Sequence, residues 1–198
     1  MKLSSLLVRF GAACLIVGIG VILFTFFPII KEELGYDLYR TTHKTPAAEN
    51  LTPVDANFGI VIPKLGANAR VIANVDPYNA AEYQYALTKG VAHAKGTALP
   101  GETGNIFLFS HSSVNFYVAL QYNSVFYLIH KLTPGDEIDL YYHKTKFVYH
   151  VTGTLFVNPK DVSFLTTRTT EKTLTLMTCW PPGTTYERLL VTAAAVSP

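Results

Sequence analysis

The sequence predicts an all-β domain, either a closed barrel or a sandwich, that follows one apolar helix near the N-terminus. Beyond residue 57, seven short apolar runs follow one another at near-regular spacing, each bounded by turn-forming residues. No long amphipathic stretch alternates with these runs, which argues against the repeating strand and helix units of α/β proteins. The 12 Tyr and 12 Phe residues, with frequent Thr and Val, also suit pleated, half-buried surfaces better than helices.

The predicted helix covers residues 10–30, which carry no charge and read FGAACLIVGIGVILFTFFPII. About 20 apolar residues at 1.5 Å per residue match the roughly 30 Å hydrocarbon layer of a bilayer. Basic residues precede this run at Lys2 and Arg9, and acidic residues follow it closely. The positive-inside rule therefore predicts that residues 1–9 lie in the cytoplasm and that the rest of the chain lies outside.

A cleaved signal peptide is the alternative interpretation, because a basic start before an apolar run fits both. The run is longer than a typical signal core, and residues 26–30 offer no small-x-small cleavage site. Residues 31–56 are mixed in charge and contain Pro46 and Pro53, which predicts a spacer. Residues 57–198 then form the globular domain.

Within that domain the apolar runs are the predicted strands, at residues 58–63, 69–75, 105–110, 137–143, 146–157, 172–179 and 187–196. Short helical turns are predicted for residues 80–86 and 115–120. The formal net charge is only +2 and no Lys/Arg stripe is present, so nucleic acid is an unsuitable partner.

The chain has two cysteines, Cys14 within the apolar run and Cys179 near the C-terminus. A thiol in the bilayer and one in a water-facing domain cannot approach to the roughly 5.5 Å Cα separation of a disulfide. An unpaired thiol outside the membrane, where cysteines usually pair, calls for a reason such as reactivity. The alternative is a buried cysteine that packs as a small apolar residue.

Side-chain alternation predicts that Cys179 is accessible at the end of its strand. Leu174 and Leu176 share one face of the strand, whereas Met177 and Cys179 share the other. The sequence Trp-Pro-Pro-Gly follows at once, and prolines cannot donate to a sheet ladder, so the strand must end there.

Two further side chains are candidates for the same site. Arg188 lies nine residues after Cys179, and if the two runs are neighbouring antiparallel strands its guanidinium lies near the thiol. The alternative for Arg188 is an exposed charge beside a turn. His111 directly follows the run 105–110, at the kind of strand end where barrels carry reactive groups; the alternative is an incidental histidine like the others.

Metal and cofactor sites are not predicted. No pair of residues has the ligand spacing of CxxC or HExxH, and the glycine-containing segment 101–104 lacks the lysine and the following helix of a nucleotide site.

Several separated segments carry a resemblance. Thr175-Leu176-Met177-Thr178-Cys179 matches a TLxTC signature that closes a strand, with an arginine on the next strand. Residues 58–65 read FGIVIPKL, as in an opening strand, and residues 90–101 match the segment that leads to a catalytic histidine. Together these segments, over about residues 57–198, resemble the sortase family of surface transpeptidases.

The resemblance implies an eight-stranded β-barrel with Cys179 as nucleophile, His111 as the catalytic histidine and Arg188 as the active-site arginine. One departure is Ser110, where many sortases have glycine. The implied reaction cleaves an LPxTG-like sorting signal through a thioacyl intermediate and transfers the acyl group to an amine of a wall precursor or of a pilin lysine. The implied location is the cell membrane, with the catalytic domain extracellular.

Two other functions stay open at this point: a hydrolytic cysteine peptidase with the same nucleophile, and a non-catalytic barrel that binds a partner at the cell surface. The resemblance leaves the signal sequence, the acceptor, the sortase class and any calcium requirement open.

Overall fold

The computed structural model describes residues 2–42, 51–112, 125–165 and 169–196. The chain divides into two compact units, Met1–Thr42 and His43–Pro198. In the second unit eight strands close a barrel in the order β1-β2-β3-β4-β7-β8-β6-β5, which confirms the predicted fold class. The strands are β1 (Phe58–Ile62), β2 (Ala67–Val75), β3 (Val91–Ala94), β4 (Gly104–Phe109), β5 (Glu137–Tyr142), β6 (Thr145–Val157), β7 (Lys172–Trp180) and β8 (Glu187–Ala195).

The first unit is a single helix, α1 (Lys2–Thr42). Its segment Leu7–Phe24 is long and apolar enough to cross a membrane. The helix continues beyond residue 30 into the segment where a spacer is predicted, because residues 31–42 contain helix formers such as Glu32, Glu33 and Leu34 and no proline. Residues 43–50 of the predicted spacer lie outside the described residues.

All seven predicted runs are strands, and the eighth strand is β3. Its four residues, Val-Ala-His-Ala, are too few to show the alternation that marks a strand in sequence. The predicted turns at 80–86 form a short helix, α2 (Ala80–Leu87), whose first turn is capped by Asn79 Oδ1 accepting the Glu82 N–H at 3.2 Å. The turns predicted for residues 115–120 lie outside the described residues.

Two of the strand pairs are parallel. α2 lies between β2 and β3 and makes the crossover that a parallel pair needs. β4 and β7 pair in parallel over six positions, from Gly104 opposite Lys172 to Phe109 opposite Met177. The carboxyl ends of β4 and β7 consequently meet at one edge of the barrel.

The core has an inner and an outer layer. Alternate residues of the strands fill the barrel with fully buried side chains, among them Ile60, Ile106, Leu108, Leu140, Leu174 and Leu176. The intervening residues Phe107 and Phe109 form an outer cluster with Leu87 of α2 and Leu190 of β8. The outer cluster joins α2 to the face of the β4/β7 pair that bears Met177.

A buried histidine fixes the turn that leads into β4. His93 is fully buried, its Nδ1 accepts the Asn74 N–H at 3.2 Å, and its Nε2 lies 3.0 Å from the Ala98 carbonyl oxygen. These two bonds require a neutral ring with the proton on Nε2. Burial also lowers the pKa of His93, which keeps the ring neutral.

Asp139 is a buried carboxylate on the outer face of β5. Its Oδ2 accepts from Lys146 Nζ at 2.8 Å, whereas its Oδ1 has no hydrogen-bond partner among the described residues. Burial raises the pKa of Asp139 to about 6, because the ionised form loses its hydration; the Lys146 charge opposes this, and Glu137 adds to it. Asp139 therefore keeps its proton to a higher pH in the folded state than in the unfolded chain.

We predict that Asp139→Asn gains stability relative to the wild type as pH rises from about 4 to about 6.5. A carboxyl group whose pKa is raised on folding stabilises the fold fully when the pH is below its ordinary pKa of 3.8. That contribution is lost as the pH rises through the folded-state pKa of about 6. The relative gain should be on the order of 2 kcal/mol. Urea unfolding of the detergent-solubilised chain, followed by the single tryptophan, Trp180, measures it.

The control is Asp161→Asn, since Asp161 is an exposed carboxylate whose pKa is lowered by hydrogen bonds from Ser163. The stability of this variant relative to the wild type should change little over the same range, because a carboxyl with a lowered pKa gives its full contribution above its ordinary value of 3.8 and loses it only at lower pH. Parallel stability curves for the wild type and Asp139→Asn would contradict the prediction.

Candidate active site

The three site residues predicted from sequence line one groove at the edge where β4 and β7 end. The groove has a volume of about 350 Å³ and includes His111, Cys179 and Arg188 in its lining. Three different elements of the chain therefore bring a thiol, an imidazole and a guanidinium to one place.

Cys179 carries a half-buried free thiol and is the second-last residue of β7. Leu174 and Leu176 are fully buried inside the barrel, whereas Met177 and Cys179 face the groove, as the alternation predicts. The strand ends at Trp180, directly before the two prolines. The same period that packs the leucines thus directs the thiol outward.

Arg188 lies directly opposite Cys179 in the antiparallel β7/β8 pair. Its Nη1 donates to the carbonyl oxygens of Thr185 at 3.3 Å and Glu187 at 3.1 Å, which hold the guanidinium at the turn. The short connection between the strands produces the juxtaposition that the sequence predicts. Burial raises the pKa of the Cys179 thiol, and the Arg188 charge partly offsets this.

His111 lies two residues beyond β4, and its position depends on contacts with β7. The Ser110 N–H donates to the Met177 carbonyl oxygen at 3.1 Å, and the Thr178 hydroxyl donates to the Ser110 carbonyl oxygen at 3.0 Å. The imidazole is half-buried, and burial lowers the pKa of His111. Sequence reasoning did not identify Thr178 as a contact of the histidine segment.

The walls of the groove are mostly apolar. Phe107 stacks on Phe164 with ring centroids 5.4 Å apart, and Tyr83 meets Phe109 edge to face at 6.3 Å. Leu165 and several further apolar side chains complete the lining. The described lining carries no acidic side chain, so the groove suits a largely apolar ligand better than a basic one. The alternating phenylalanines of β4 indicate a strand buried on both faces, but nothing in the sequence shows that α2 and the 3₁₀ turn Ser163–Leu165 cover the outer one.

The thiol and the imidazole are suited to covalent catalysis, and both groups are mainly uncharged in the free site. Because burial lowers the pKa of His111 and raises the pKa of Cys179, the free site holds mainly imidazole and thiol near neutral pH. The nucleophile is the thiolate. The reactive pairing of thiolate with imidazolium is thus a minor form whose population depends on pH.

The described ranges contain no group of three or more His, Cys, Asp or Glu side chains placed to hold a metal ion. The absence of a cofactor stays a prediction.

Comparison with known proteins gives a consistent result. A family model described as the sortase domain matches residues 60–196. Sortase D of Bacillus subtilis (strain 168) is 27% identical over an alignment of 146 positions that covers 71% of this chain and 65% of that protein. The chain thus spans a little under two thirds of the curated relative that it matches.

Solved structures with the same fold are also similar in sequence. The Sortase D5 transpeptidase of Clostridium perfringens is 26% identical with a TM-score of 0.58, covering 79% of this chain and 89% of that one. Sortase A of Corynebacterium diphtheriae is 26% identical with a TM-score of 0.60, covering 72% of this chain and 61% of that one.

We predict that alkylation of Cys179 by iodoacetamide rises with pH through a midpoint above the ordinary cysteine value of about 8.5, because burial disfavours the thiolate. Arg188→Gln should move this midpoint to higher pH, since it removes the charge that favours the thiolate. Timed alkylation from pH 5 to 10.5, quantified by mass spectrometry in a Cys14→Ser background, measures both.

The matched control is Lys172→Gln, which removes one positive charge at the opposite end of β7 and should leave the midpoint in place. A plateau of fast alkylation below pH 6 would instead reveal a stable thiolate and imidazolium pair and contradict the prediction.

Proposed function

The chain belongs to the sortase family, and we propose that it is a membrane-anchored cysteine transpeptidase with Cys179 as its nucleophile. The observation that carries the proposal is the shared groove, in which Arg188 lies opposite Cys179 and His111 lines the same space. The apolar helix Leu7–Phe24 supports the anchor.

In the first half-reaction the Cys179 thiolate attacks a peptide carbonyl carbon, and the carbonyl electrons move onto its oxygen. The Arg188 guanidinium stabilises that oxyanion, an interaction whose loss costs about 3 kcal/mol in comparable sites. When the tetrahedral intermediate collapses, the C–N bond breaks and the His111 imidazolium gives its proton to the departing amine. The products are a thioester on Cys179, neutral His111 and a free amine.

In the second half-reaction an amine attacks the thioester and loses a proton to His111, and the C–S bond breaks to release the thiolate. The imidazolium and thiolate are thereby restored, so that atoms and charges balance over the cycle. Arg188 takes no part in proton transfer because it stays protonated. We propose as substrate an LPxTG-like sorting signal at the C-terminus of a surface protein, cut between Thr and Gly. The proposed acceptor is an amine of a wall precursor or a pilin lysine.

Cys179→Ala should abolish both peptide cleavage and thioester formation without unfolding the barrel, since the side chain is small and half-buried. His111→Ala should lower transfer by a factor of about 100 to 10,000, the usual contribution of a general acid and base. A peptide library with an amine acceptor, analysed by mass spectrometry, identifies the signal and the products together. Retained transfer by Cys179→Ala would exclude this nucleophile.

The same assay separates transfer from hydrolysis. A ligated product in the presence of the amine is expected, whereas a carboxylic acid alone would assign the protein as a hydrolytic cysteine peptidase. A substrate-mimicking vinyl sulfone that leaves Cys179 unlabelled would favour a binding module instead.

We also propose that the N-terminus is cytoplasmic and the barrel extracellular. In a Cys14→Ser, Cys179→Ala background, Tyr186→Cys places a thiol at a position that is 78% exposed, and Lys2→Cys places one before the apolar segment. A membrane-impermeant maleimide applied to intact cells should label the first variant and not the second. After cell lysis both should react, and labelling of Lys2→Cys in intact cells would reverse the topology.

A further inference from the structure

The hydroxyl of Thr178 forms a buried hydrogen bond that links the two strand ends of the site. Its Oγ1 donates to the Ser110 carbonyl oxygen at 3.0 Å, and Thr178 and Ser110 are only 1% and 7% exposed. Ser110 directly precedes His111, and Thr178 directly precedes Cys179. One hydrogen bond therefore joins the two residues that directly precede the one with the imidazole and the one with the thiol.

A second hydrogen bond holds the same residue from its other side. The Ser110 N–H donates to the Met177 carbonyl oxygen at 3.1 Å, which extends the parallel β4/β7 ladder by one residue beyond Phe109. Both polar backbone groups of Ser110 are thus held by consecutive residues of β7. The backbone that leads to His111 takes its position from the strand that carries Cys179.

Packing alone does not explain why the side chain at position 178 carries a hydroxyl group. By alternation its side chain shares the barrel interior with Leu174 and Leu176, where valine has nearly the same shape and no polar atom. A buried hydroxyl without a partner destabilises a protein by about 1–3 kcal/mol, and here Ser110 supplies the partner. What the hydroxyl adds over valine is therefore the bond to the Ser110 carbonyl.

We propose that Thr178 is a positioning residue: its hydroxyl fixes the Ser110 peptide group and thereby holds the His111 imidazole in reach of the Cys179 thiol. The inference rests on the proposed function, because it assumes that His111 and Cys179 act together. It concerns the orientation of His111, and not contact between Thr178 and the substrate.

Thr178→Val keeps the shape of the side chain and removes the hydroxyl, and Thr178→Ser keeps the hydroxyl. With Val, kcat for transfer should fall roughly 10- to 100-fold, because small misplacements of catalytic groups have effects of this size. KM should change little, since valine keeps the shape that Thr178 presents to the lining of the groove, and Ser should restore most of the rate. If the valine variant does not fold, Thr178→Ala against Thr178→Ser gives the same comparison, because these two differ only by the hydroxyl.

Thr192→Val is the matched control. The Thr192 hydroxyl donates to the Gly153 carbonyl oxygen at 3.3 Å, so the control also removes a bond from a hydroxyl to a backbone carbonyl on a neighbouring strand, away from the groove. This variant should keep wild-type kcat. All variants are assayed below their measured unfolding temperatures, so that folded enzyme is compared with folded enzyme.

Alkylation of Cys179 in the Cys14→Ser background tests the inference without sorting signal or acceptor. Thr178→Val should alter the pH profile of alkylation in a chain with His111, and should have no further effect in a His111→Ala chain. Equal effects in both backgrounds, or equal activity of the Ala and Ser variants, would overturn the positioning role. A wild-type chain that shows this coupling but transfers no peptide would instead refute the proposed function.

Discussion

The parallel pairing of β4 with β7 is the constraint on which the rest of the molecule depends. Its six register positions bring residues 68 apart in sequence, Ser110 and Thr178, into hydrogen-bond contact at one edge of the barrel. The register is fixed by the barrel interior, because a slip of one residue would turn Ile106 and Leu108 outward and the phenylalanines of β4 inward. The packing of the core thereby determines the distance between the two strand ends that carry His111 and Cys179.

The outer cluster turns the edge of the barrel where β4 and β7 end into a groove. Phe107 and Phe109 face outward between α2 and the 3₁₀ turn Ser163–Leu165, so the side chains that attach these elements also line the space beside Cys179. β8 completes the site from the other side, since its pairing with β7 places Arg188 opposite the thiol. The site is therefore made of residues whose positions are already set by packing and by strand pairing.

The sequence predicted the parts of this arrangement that depend on local rules. The face of Cys179 followed from the period of a strand, the end of β7 from two prolines, and the proximity of Arg188 from a short connection. His111 was different: its position at a strand end made it a candidate among six histidines, and the family resemblance then selected it. Its pairing with Cys179 depends on a parallel contact between distant strands, which no spacing in a single chain reveals. β3 was not predicted because a strand of four residues is too short to show an alternating pattern. The packing of α2 and the 3₁₀ turn over the outer face of β4 was not predicted because it depends on tertiary contacts.

Burial of the groove has two opposing effects on the proposed chemistry. It disfavours both ionised partners, as the raised pKa of Cys179 and the lowered pKa of His111 indicate, so only a small fraction of the free enzyme is in the reactive form. The same apolar lining favours the proposed interaction of Arg188 with an oxyanion, because charges attract more strongly where the local dielectric constant is low. The apolar side chains of Met177 and Leu165 line the same groove and disfavour water beside the proposed thioester, which suppresses hydrolysis as a side reaction. In the proposed reaction the first effect lowers the fraction of reactive sites, whereas the second favours transfer of the acyl group to an amine over its loss to water.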